Sequence, residues 1–203
     1  FDLFSANDTS TQTNPTKTYT NDGTFTIRLT ATSNHICRDS IEKQVVINPD
    51  ILNNVISASQ TLCEGTTPAT LNQLSGGVSG GTSSFTYQWQ RSTDSSTWTN
   101  ISGATSASYV PSAPSITTWY RRIVISGPCA DTSSSVRITI IPAIANNTIT
   151  ANQNICFGQT PNALSGSTPT GGNGTFNYLW QQSNNNSTWV NASGTNNTVN
   201  YTP

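Results

Sequence analysis

The chain has 203 residues, a formal net charge of −1 and only 8% charged residues, against about a quarter in typical soluble domains. This composition argues against nucleic-acid binding, because phosphate contacts need clustered Lys and Arg side chains. No apolar run approaches the roughly 20 residues of a membrane-spanning helix, so no membrane insertion is expected either.

Residues 1–49 are predicted to form the C-terminal part of a β-sandwich. In the segment 24–32, Phe25, Ile27 and Leu29 alternate with polar residues. This period of two is typical of a half-buried antiparallel strand. A second strand is predicted over 41–47, before a linker that contains Pro49.

An internal repeat dominates the rest of the chain. The segment 84–103, SFTYQWQRSTDSSTWTNISG, returns at 175–194 as TFNYLWQQSNNNSTWVNASG. Such self-similarity predicts tandem modules. We expect a complete β-sandwich over 50–142, here called the first repeat. The N-terminal part of another is expected over 143–203, here called the second repeat.

Seven short strands are predicted in the first repeat, a number that suits a two-sheet sandwich. Within the segment 85–91, Phe85, Tyr87 and Trp89 share a parity and are expected to face inward. The second repeat lacks counterparts of the last two strands, so we expect it to have an open edge and an open core. The predicted strands span 55–58, 69–74, 85–91, 97–101, 108–110, 119–125 and 136–141.

The four cysteines alternate between the end and the start of a module along the chain. The preferred interpretation pairs Cys63 with Cys129 and leaves Cys37 and Cys156 unpaired within this chain. A bridge between Cys37 and Cys156 is the alternative. The preferred bridge would contribute roughly 4 kcal/mol by constraining the unfolded chain. Paired cysteines indicate an oxidising, extracellular setting.

Residues 1–49 resemble the second half of a PKD domain. The tripeptide Phe-Asp-Leu at 1–3 stands where that family has W-D-F, and Phe-Ser-Ala at 4–6 replaces its G-D-G turn. The residues that match the rest of the PKD pattern are Asn14, Pro15, Tyr19, Gly23, Phe25, Ile27 and Leu29.

The two repeats resemble the Ig-like repeats of large type IX-secreted cell-surface adhesins of Bacteroidetes, including adhesins of gliding motility. The shared run reads Y-x-W-x-x-S-x-D, W-x-x-I-S-G-A-T, Y-x-R and C-x-D-x-S. It is found here at Tyr87, Trp89, Ser92, Asp94, Trp98, Ile101, Ser102, Gly103, Ala104, Thr105, Tyr120, Arg122, Cys129, Asp131 and Ser133.

This resemblance implies an all-β chain of tandem Ig-like and PKD-like β-sandwich modules, arranged as an elongated rod. The implied function is a stalk or filament segment of an extracellular adhesin at the cell surface, with a mechanical and adhesive role. Its expected partners are neighbouring repeats of the same chain, and surface polysaccharide or other cell-surface components. The alternative is an accessory carbohydrate-binding module of a secreted polysaccharide-degrading enzyme.

Three tryptophans are candidate ligand-facing aromatics: Trp98, Trp119 and Trp189. The competing interpretation is structural, because Trp98 and Trp189 occupy the same place in the two repeats. In that interpretation both pack over a hairpin of the sandwich.

Catalysis has little support in the sequence. The single histidine, His35, has no marked nucleophile with which to form a triad. The cysteines and His35 do not have zinc-ligand spacing. We therefore expect no enzyme activity, no cofactor and no metal site.

The resemblance to secreted Bacteroidetes proteins also suggests O-glycosylation at Asp-Ser and Asp-Thr dipeptides. Ser40, which is followed by Ile41, fits that pattern best. The other candidates are Thr9, Ser95 and Thr132.

Overall fold

The computed structural model describes residues 9–74, 76–150 and 152–203, and every regular element in them is a β-strand. The predicted all-β class is confirmed. No helix in these ranges is long and apolar enough to cross a membrane. The PKD-like tripeptides at 1–3 and 4–6 lie outside them. The strands are β1 (Gly23–Thr32), β2 (Arg38–Ile47), β3 (Gln60–Cys63), β4 (Thr86–Ser92), β5 (Thr99–Asn100), β6 (Thr118–Ser126), β7 (Cys129–Thr132), β8 (Val136–Ile141), β9 (Leu164–Ser165), β10 (Gln181–Gln182), β11 (Val190–Asn191) and β12 (Asn200–Tyr201).

Strands β1 and β2 form an antiparallel hairpin with a continuous register. The Arg28 guanidinium pairs with the Glu42 carboxylate across the hairpin. Phe25 is buried against the Tyr19 ring, 4.5 Å between centroids, whereas Leu29 is 69% exposed. The predicted half-buried face is therefore present at Phe25 and Ile27 and is lost at Leu29, because a two-stranded ribbon does not bury its own faces.

The chain divides into two compact units, and each is discontinuous in sequence. The first comprises Phe1–Ala58, Thr70–Val110 and Trp119–Val136. The second comprises Ser59–Ala69, Pro111–Thr118 and Arg137–Pro203.

In the first unit, β6 pairs antiparallel with β4 on one side and with β7 on the other, and β5 extends the sheet beyond β4. Buried and partly exposed residues alternate along most of β6, so that Tyr120, Arg122 and Val124 face inward. This alternation follows from the period of two in a strand whose one face packs on a core.

A second layer of the first unit consists of extended segments joined by isolated bridges. Three strands predicted at 55–58, 69–74 and 108–110 are reduced to these bridges, and β7 was not predicted. Hydroxyl- and amide-rich sequence pairs poorly, because its side chains compete for the backbone hydrogen bonds of a ladder. The bridges join Leu52 to Ser79, Ile56 to Gln73 and Leu71 to Tyr109.

Trp89 of β4 lies fully buried between these layers. Its indole Nε1 donates to the Ser106 carbonyl at 2.9 Å, and its ring centroid lies 5.6 Å from that of Tyr109. Tyr109 in turn lies 6.0 Å from Tyr120. The predicted inward position of Trp89 is confirmed, and a buried indole N–H has the acceptor that it needs.

In the second unit, β3 runs parallel to β8, with Cys63 opposite Ile141. The strand β3 was not predicted. Its first residue, Gln60, uses its side-chain amide to bond both the N–H and the carbonyl of Ala69. Gln153 bonds Asn162 in the same two ways.

The second repeat reproduces the framework of the first. Leu164 of β9 pairs with Tyr201 of β12, as Leu71 pairs with Tyr109 in the first repeat. The remaining bridges of the second repeat join Ala145 to Thr170 and Ile149 to Gly166. These pairs fix which residues of the two repeats correspond.

The segment that enters each repeat is held against a Gly-Gly pair. The Gly81 N–H donates to the Pro49 carbonyl at 2.9 Å, and the Gly172 N–H donates to the Pro142 carbonyl at the same distance. A Cβ on Gly80 would lie 1.9 Å from the Asp50 carbonyl oxygen. Only glycine permits this approach, since the φ of Gly80 is also positive, at +87°.

We expect Gly80→Ala to lower the free energy of unfolding much more than Gly65→Ala. Gly65 has a similar φ of +80°, but a Cβ added to it would meet open space, with no described atom beyond its chain neighbours within 4 Å. Its substitution therefore adds only backbone strain, about 1 kcal/mol. Gly80→Ala adds a steric penalty of roughly 1–3 kcal/mol. Urea denaturation of both variants measures the difference, and equal losses would contradict the close approach.

Candidate functional site

The core of the first unit contains a cation. Arg122 is fully buried, and its Nε and Nη2 donate to the Asn54 side-chain oxygen at 3.0 and 2.7 Å. Its Nη1 donates to the Ala107 carbonyl at 2.6 Å, and Nη2 also bonds the Gln73 side-chain oxygen. All these acceptors are neutral, so the charge is held by dipoles and not by a carboxylate.

Two aromatic rings complete the surroundings of this arginine. Its Cζ lies 5.2 Å from the centroid of Tyr87 and 5.8 Å from that of Trp89, within the range of cation–π attraction. Burial lowers the pKa of the Arg122 guanidinium from its usual value. An arginine nevertheless stays protonated inside proteins, so the core holds a permanent positive charge.

Asn54 also fixes the backbone around the arginine. Its Nδ2 donates to the Arg122 carbonyl at 3.3 Å and to the Asp131 carbonyl at 3.2 Å. Ser133 bonds the Arg122 backbone through its hydroxyl and its own N–H, each at 2.9 Å. The sequence motif Y-x-R singled out Arg122, but the polar residues that receive it were not predicted. The alternation that places Arg122 on the same inward face as Tyr120 and Val124 could have indicated that its side chain is buried.

The second repeat has an open groove of about 370 Å³ in the corresponding place. Asn147 stands where the first repeat has Asn54, and Gly166 stands where it has Gln73. The groove is lined by Ile144, Asn147, Ile149, Gly166, Ser167, Pro169, Phe176, Asn177, Tyr178, Leu179, Trp180, Gln181 and Val199.

Apolar side chains that are buried in the first repeat are exposed in this groove. Ile51 and Ile56 are 9% and 6% exposed, whereas their counterparts Ile144 and Ile149 are 62% and 63% exposed. Trp180, the counterpart of the fully buried Trp89, is only half-buried. Exposure of contiguous apolar side chains in a concave site is typical of a binding surface.

The candidate ligand-facing tryptophans have different surroundings. Trp98 is half-buried, and the Arg121 guanidinium lies 4.2 Å from its ring centroid. Trp119 is half-buried on the outward face of β6. Trp189 is 51% exposed. The Trp98 ring is thus covered on one face by the Arg121 guanidinium. Its counterpart in the second repeat, Trp189, has about half of its surface exposed to solvent.

The remaining candidate residues lie at the surface or near it. Cys37, Cys63 and Cys156 are exposed and Cys129 is half-buried. All four are free thiols in this structure, so the bond between Cys63 and Cys129 stays a prediction. The hydroxyl residues suggested for O-glycosylation are exposed; they are Thr9, Ser40, Ser95 and Thr132.

His35, the only histidine, is exposed, and its Nδ1 lies 2.8 Å from the Asn34 side-chain oxygen. Among the residues in the described ranges, no three His, Cys, Asp or Glu side chains come together as metal ligands would.

An aspartate organises the loop between β4 and β5. The Asp94 carboxylate accepts from the N–H groups of Thr97 and Ser96 at 2.7 and 2.9 Å and from the Ser92 hydroxyl at 2.7 Å. These bonds hold the pKa of Asp94 far below its usual range. In the second repeat, Asn185 accepts the corresponding bonds with a neutral side chain.

Comparison with known proteins gives one family. The model of a family described as "Domain of unknown function (DUF8696)" matches residues 52–142 and, a second time, residues 145–203. No curated protein matches the chain.

We expect Asn54→Leu to lower the free energy of unfolding by roughly 3–5 kcal/mol, because it leaves a buried charge without its main acceptor. The double variant with Arg122→Met should lose less than the sum of the single losses, with a coupling energy of roughly 0.5–3 kcal/mol. Urea unfolding monitored by tryptophan fluorescence measures all four proteins of the cycle.

Arg121→Met is the matched control for this cycle, since Arg121 is the neighbouring arginine on the outward face of β6. Its substitution removes a partly exposed cation–π contact with Trp98 and a hydrogen bond from Nε to the Gln90 side-chain oxygen, and it should cost about 1–2 kcal/mol. Two results would contradict the structural role of the buried cation. One is an equal loss of unfolding free energy for Arg121→Met and Arg122→Met. The other is strict additivity of the losses caused by Asn54→Leu and Arg122→Met.

We expect Asp94→Asn to preserve the loop better than Asp94→Ala, because the neutral amide of Asn185 already accepts the same bonds in the second repeat. Asp94 has a lowered pKa, so its contribution is complete above the unfolded value of about 4 and is lost as the pH falls below it. Asp94→Asn should remove that part of the acid dependence in thermal melts at pH 2 to 7. An unchanged acid profile would contradict the assignment.

Proposed function

The chain belongs to the DUF8696 family, whose model it matches twice in succession, and on that premise we propose that it is a stalk segment of a secreted cell-surface adhesin. The observation that carries the proposal is the duplication. Two successive stretches build the same bridges, the same Gly-Gly contact and the same tryptophan N–H bond to a carbonyl. Repetition of one structural unit extends the molecule, because each repeat contacts only its neighbours.

The short linkers support an elongated arrangement of the modules. Pro49 and Pro142 restrict their own φ and bias the residue before them toward extended conformations. The linker that contains Pro142, residues 141–143, is also held by Glu64. The Glu64 N–H donates to the Ile141 carbonyl at 2.8 Å, and its carboxylate accepts from the Ala143 N–H at 3.3 Å. A linker held in this way differs from a flexible Gly- and Ser-rich coil.

The sequence resemblances give this stalk its biological setting. The likeness to PKD and Ig-like modules of type IX-secreted Bacteroidetes adhesins suggests extracellular display, with a role in adhesion and in gliding motility. Exposed hydroxyls at Ser40, Thr9, Ser95 and Thr132 are available to O-glycosylation in that setting. The role is mechanical and includes no catalytic step. The expected partners are neighbouring repeats and surface polysaccharide.

Small-angle scattering on the 203-residue chain tests the stalk. A compact particle of this length would have a radius of gyration of about 17 Å. We expect a value clearly above that, together with the pair-distance distribution of a rod.

The matched variant for this measurement replaces Pro49 and Pro142 with glycine. If the linkers are stiff, this change should broaden the distribution of distances and leave the unfolding midpoint of the modules nearly unchanged. A radius of gyration near 17 Å for the unaltered chain would rule out the stalk and favour a clustered carbohydrate-binding unit.

A further inference from the structure

We propose that the outward face of the sheet in the first unit binds an acidic polysaccharide. The Arg121 guanidinium binds a carboxylate of a uronic acid, and the neighbouring Trp98 and Trp119 contact the sugar rings. The proposed function already expects surface polysaccharide as a partner, so this assignment rests on that function and names the chemical class of the ligand. The outward face is defined here as the side chains of β4 to β7 that point away from the buried Trp89.

A row of polar side chains crosses the outward face from β5 to β6. Gln90 of β4 lies opposite Asn100 of β5 on one side and opposite Arg121 of β6 on the other. Trp119 and Ile123 share the face of Arg121, because side chains on a strand alternate between its two faces. Neighbouring strands lie about 4.8 Å apart, so the row spans roughly 10 Å. This length allows contact with successive units of a chain ligand.

The members of this row hold one another in place. The Asn100 side-chain oxygen accepts from the Gln90 side-chain N–H at 2.8 Å, and the Gln90 side-chain oxygen accepts from Arg121 Nε at 2.7 Å. The Trp98 ring supports the guanidinium, with its centroid 4.2 Å from Arg121 Cζ. Side chains that are already fixed lose less rotamer entropy when a ligand binds. The row is therefore organised before any ligand arrives.

The terminal nitrogens of Arg121 are available to a ligand. Its Nε is used by Gln90, whereas Nη1 and Nη2 donate to no acceptor in the described part of the chain. Arg122, the next residue of β6, has both terminal nitrogens bonded inside the core. The planar fork of a guanidinium matches a carboxylate with two parallel hydrogen bonds. Arg121 is therefore the arginine of this pair that can hold an anionic group at the surface.

The charge on this face favours an anionic ligand. Among the described residues at the outward positions of β4 to β7, Arg121 is the only charged one. Asp94, in the loop between β4 and β5, directs its carboxylate at the N–H groups of Ser96 and Thr97. The positive charge of the face is thus not opposed by a carboxylate of the face itself, although the whole chain has a net charge of −1. Such a patch is complementary to a ligand with spaced negative charges.

The groups around Arg121 favour a sugar over an acidic peptide. Trp98 and Trp119 are only half-buried, and the indole surface that remains can pack against the apolar C–H face of a pyranose ring. Asn100 is exposed, and its amide N–H groups can donate to hydroxyl oxygens. An extended peptide would instead need backbone partners along a strand edge. These groups lie on the face of the sheet, where a strand offers side chains.

The test measures binding of tetragalacturonate to the full chain by titration calorimetry, with its fully methyl-esterified form as the uncharged counterpart. We expect saturable binding of one tetragalacturonate per chain, because residues 143–203 contain no charged residue and so have no equivalent of Arg121. The ester should bind at least roughly tenfold more weakly, the loss expected for one charge-assisted contact. Raising the salt concentration from about 0.05 to 0.5 M should weaken binding of the acid and not of the ester.

Chain variants locate the contacts. Arg121→Met should remove the preference for the acid over the ester, and Arg121→Lys should leave an intermediate preference, since lysine keeps the charge and loses the fork. Trp98→Ala should weaken binding of the acid roughly fivefold. Trp189→Ala is the matched control, because Trp189 is the counterpart of Trp98 in the repeat without charged residues, and it should leave binding unchanged. Circular dichroism of each variant establishes that it is folded before the titration.

Four results would overturn the assignment. They are the absence of saturable binding, equal affinity of the unaltered chain for acid and ester, an undiminished preference for the acid in Arg121→Met, and tighter binding of tetraglutamate than of tetragalacturonate. The last result would assign the face to an acidic peptide. Small-angle scattering separates these failures from a failure of the stalk. A rod that does not bind contradicts only the polysaccharide face, and a compact particle that binds contradicts only the stalk.

Discussion

The structure of the first repeat depends on the solvation of one buried guanidinium by neutral groups. A charge taken out of water costs far more than a single hydrogen bond returns, so Arg122 is tolerated only with its acceptors and rings all in place. Those groups come from distant parts of the chain, since Asn54 lies 68 residues before Arg122. Arg122 therefore stabilises the one arrangement of the two layers in which its partners surround it, and it destabilises any arrangement that buries it without them.

Among the described residues, the second repeat has no counterpart of β6, the strand that carries Arg122. Its counterparts of Trp89, Tyr87 and Asn54 are present as Trp180, Tyr178 and Asn147. Ile149 is exposed where Ile56 is buried.

The sequence predicted the long strands with alternating inward and outward residues, but it did not predict that the facing layer would consist of isolated bridges. The alternation in 85–91 and 119–125 located β4 and β6 closely, because Tyr87, Trp89 and Tyr120 mark one face of each strand. The facing layer was predicted as full strands but forms single bridges. Its Ser and Asn side chains bond the backbone of other segments, as Ser57 bonds the Asn72 N–H and Asn54 bonds the Arg122 carbonyl, and no periodicity in the sequence indicates these bonds. The acceptors of Arg122 were hidden for a related reason, since Asn54 and Gln73 look like ordinary surface amides until the topology places them inside.

The contact between the Gly-Gly pair and the incoming segment has a consequence for how such chains grow in evolution. Pro49 and Asp50 are fixed by Gly80 and Gly81, some thirty residues downstream, so the segment before each repeat is structurally part of the repeat that follows. A gene duplication that separated this segment from its Gly-Gly pair would place the carbonyl of an unrelated segment against the glycines. We therefore expect the boundary of a duplicated unit to lie before the proline, so that the unit includes the segment preceding its first strand.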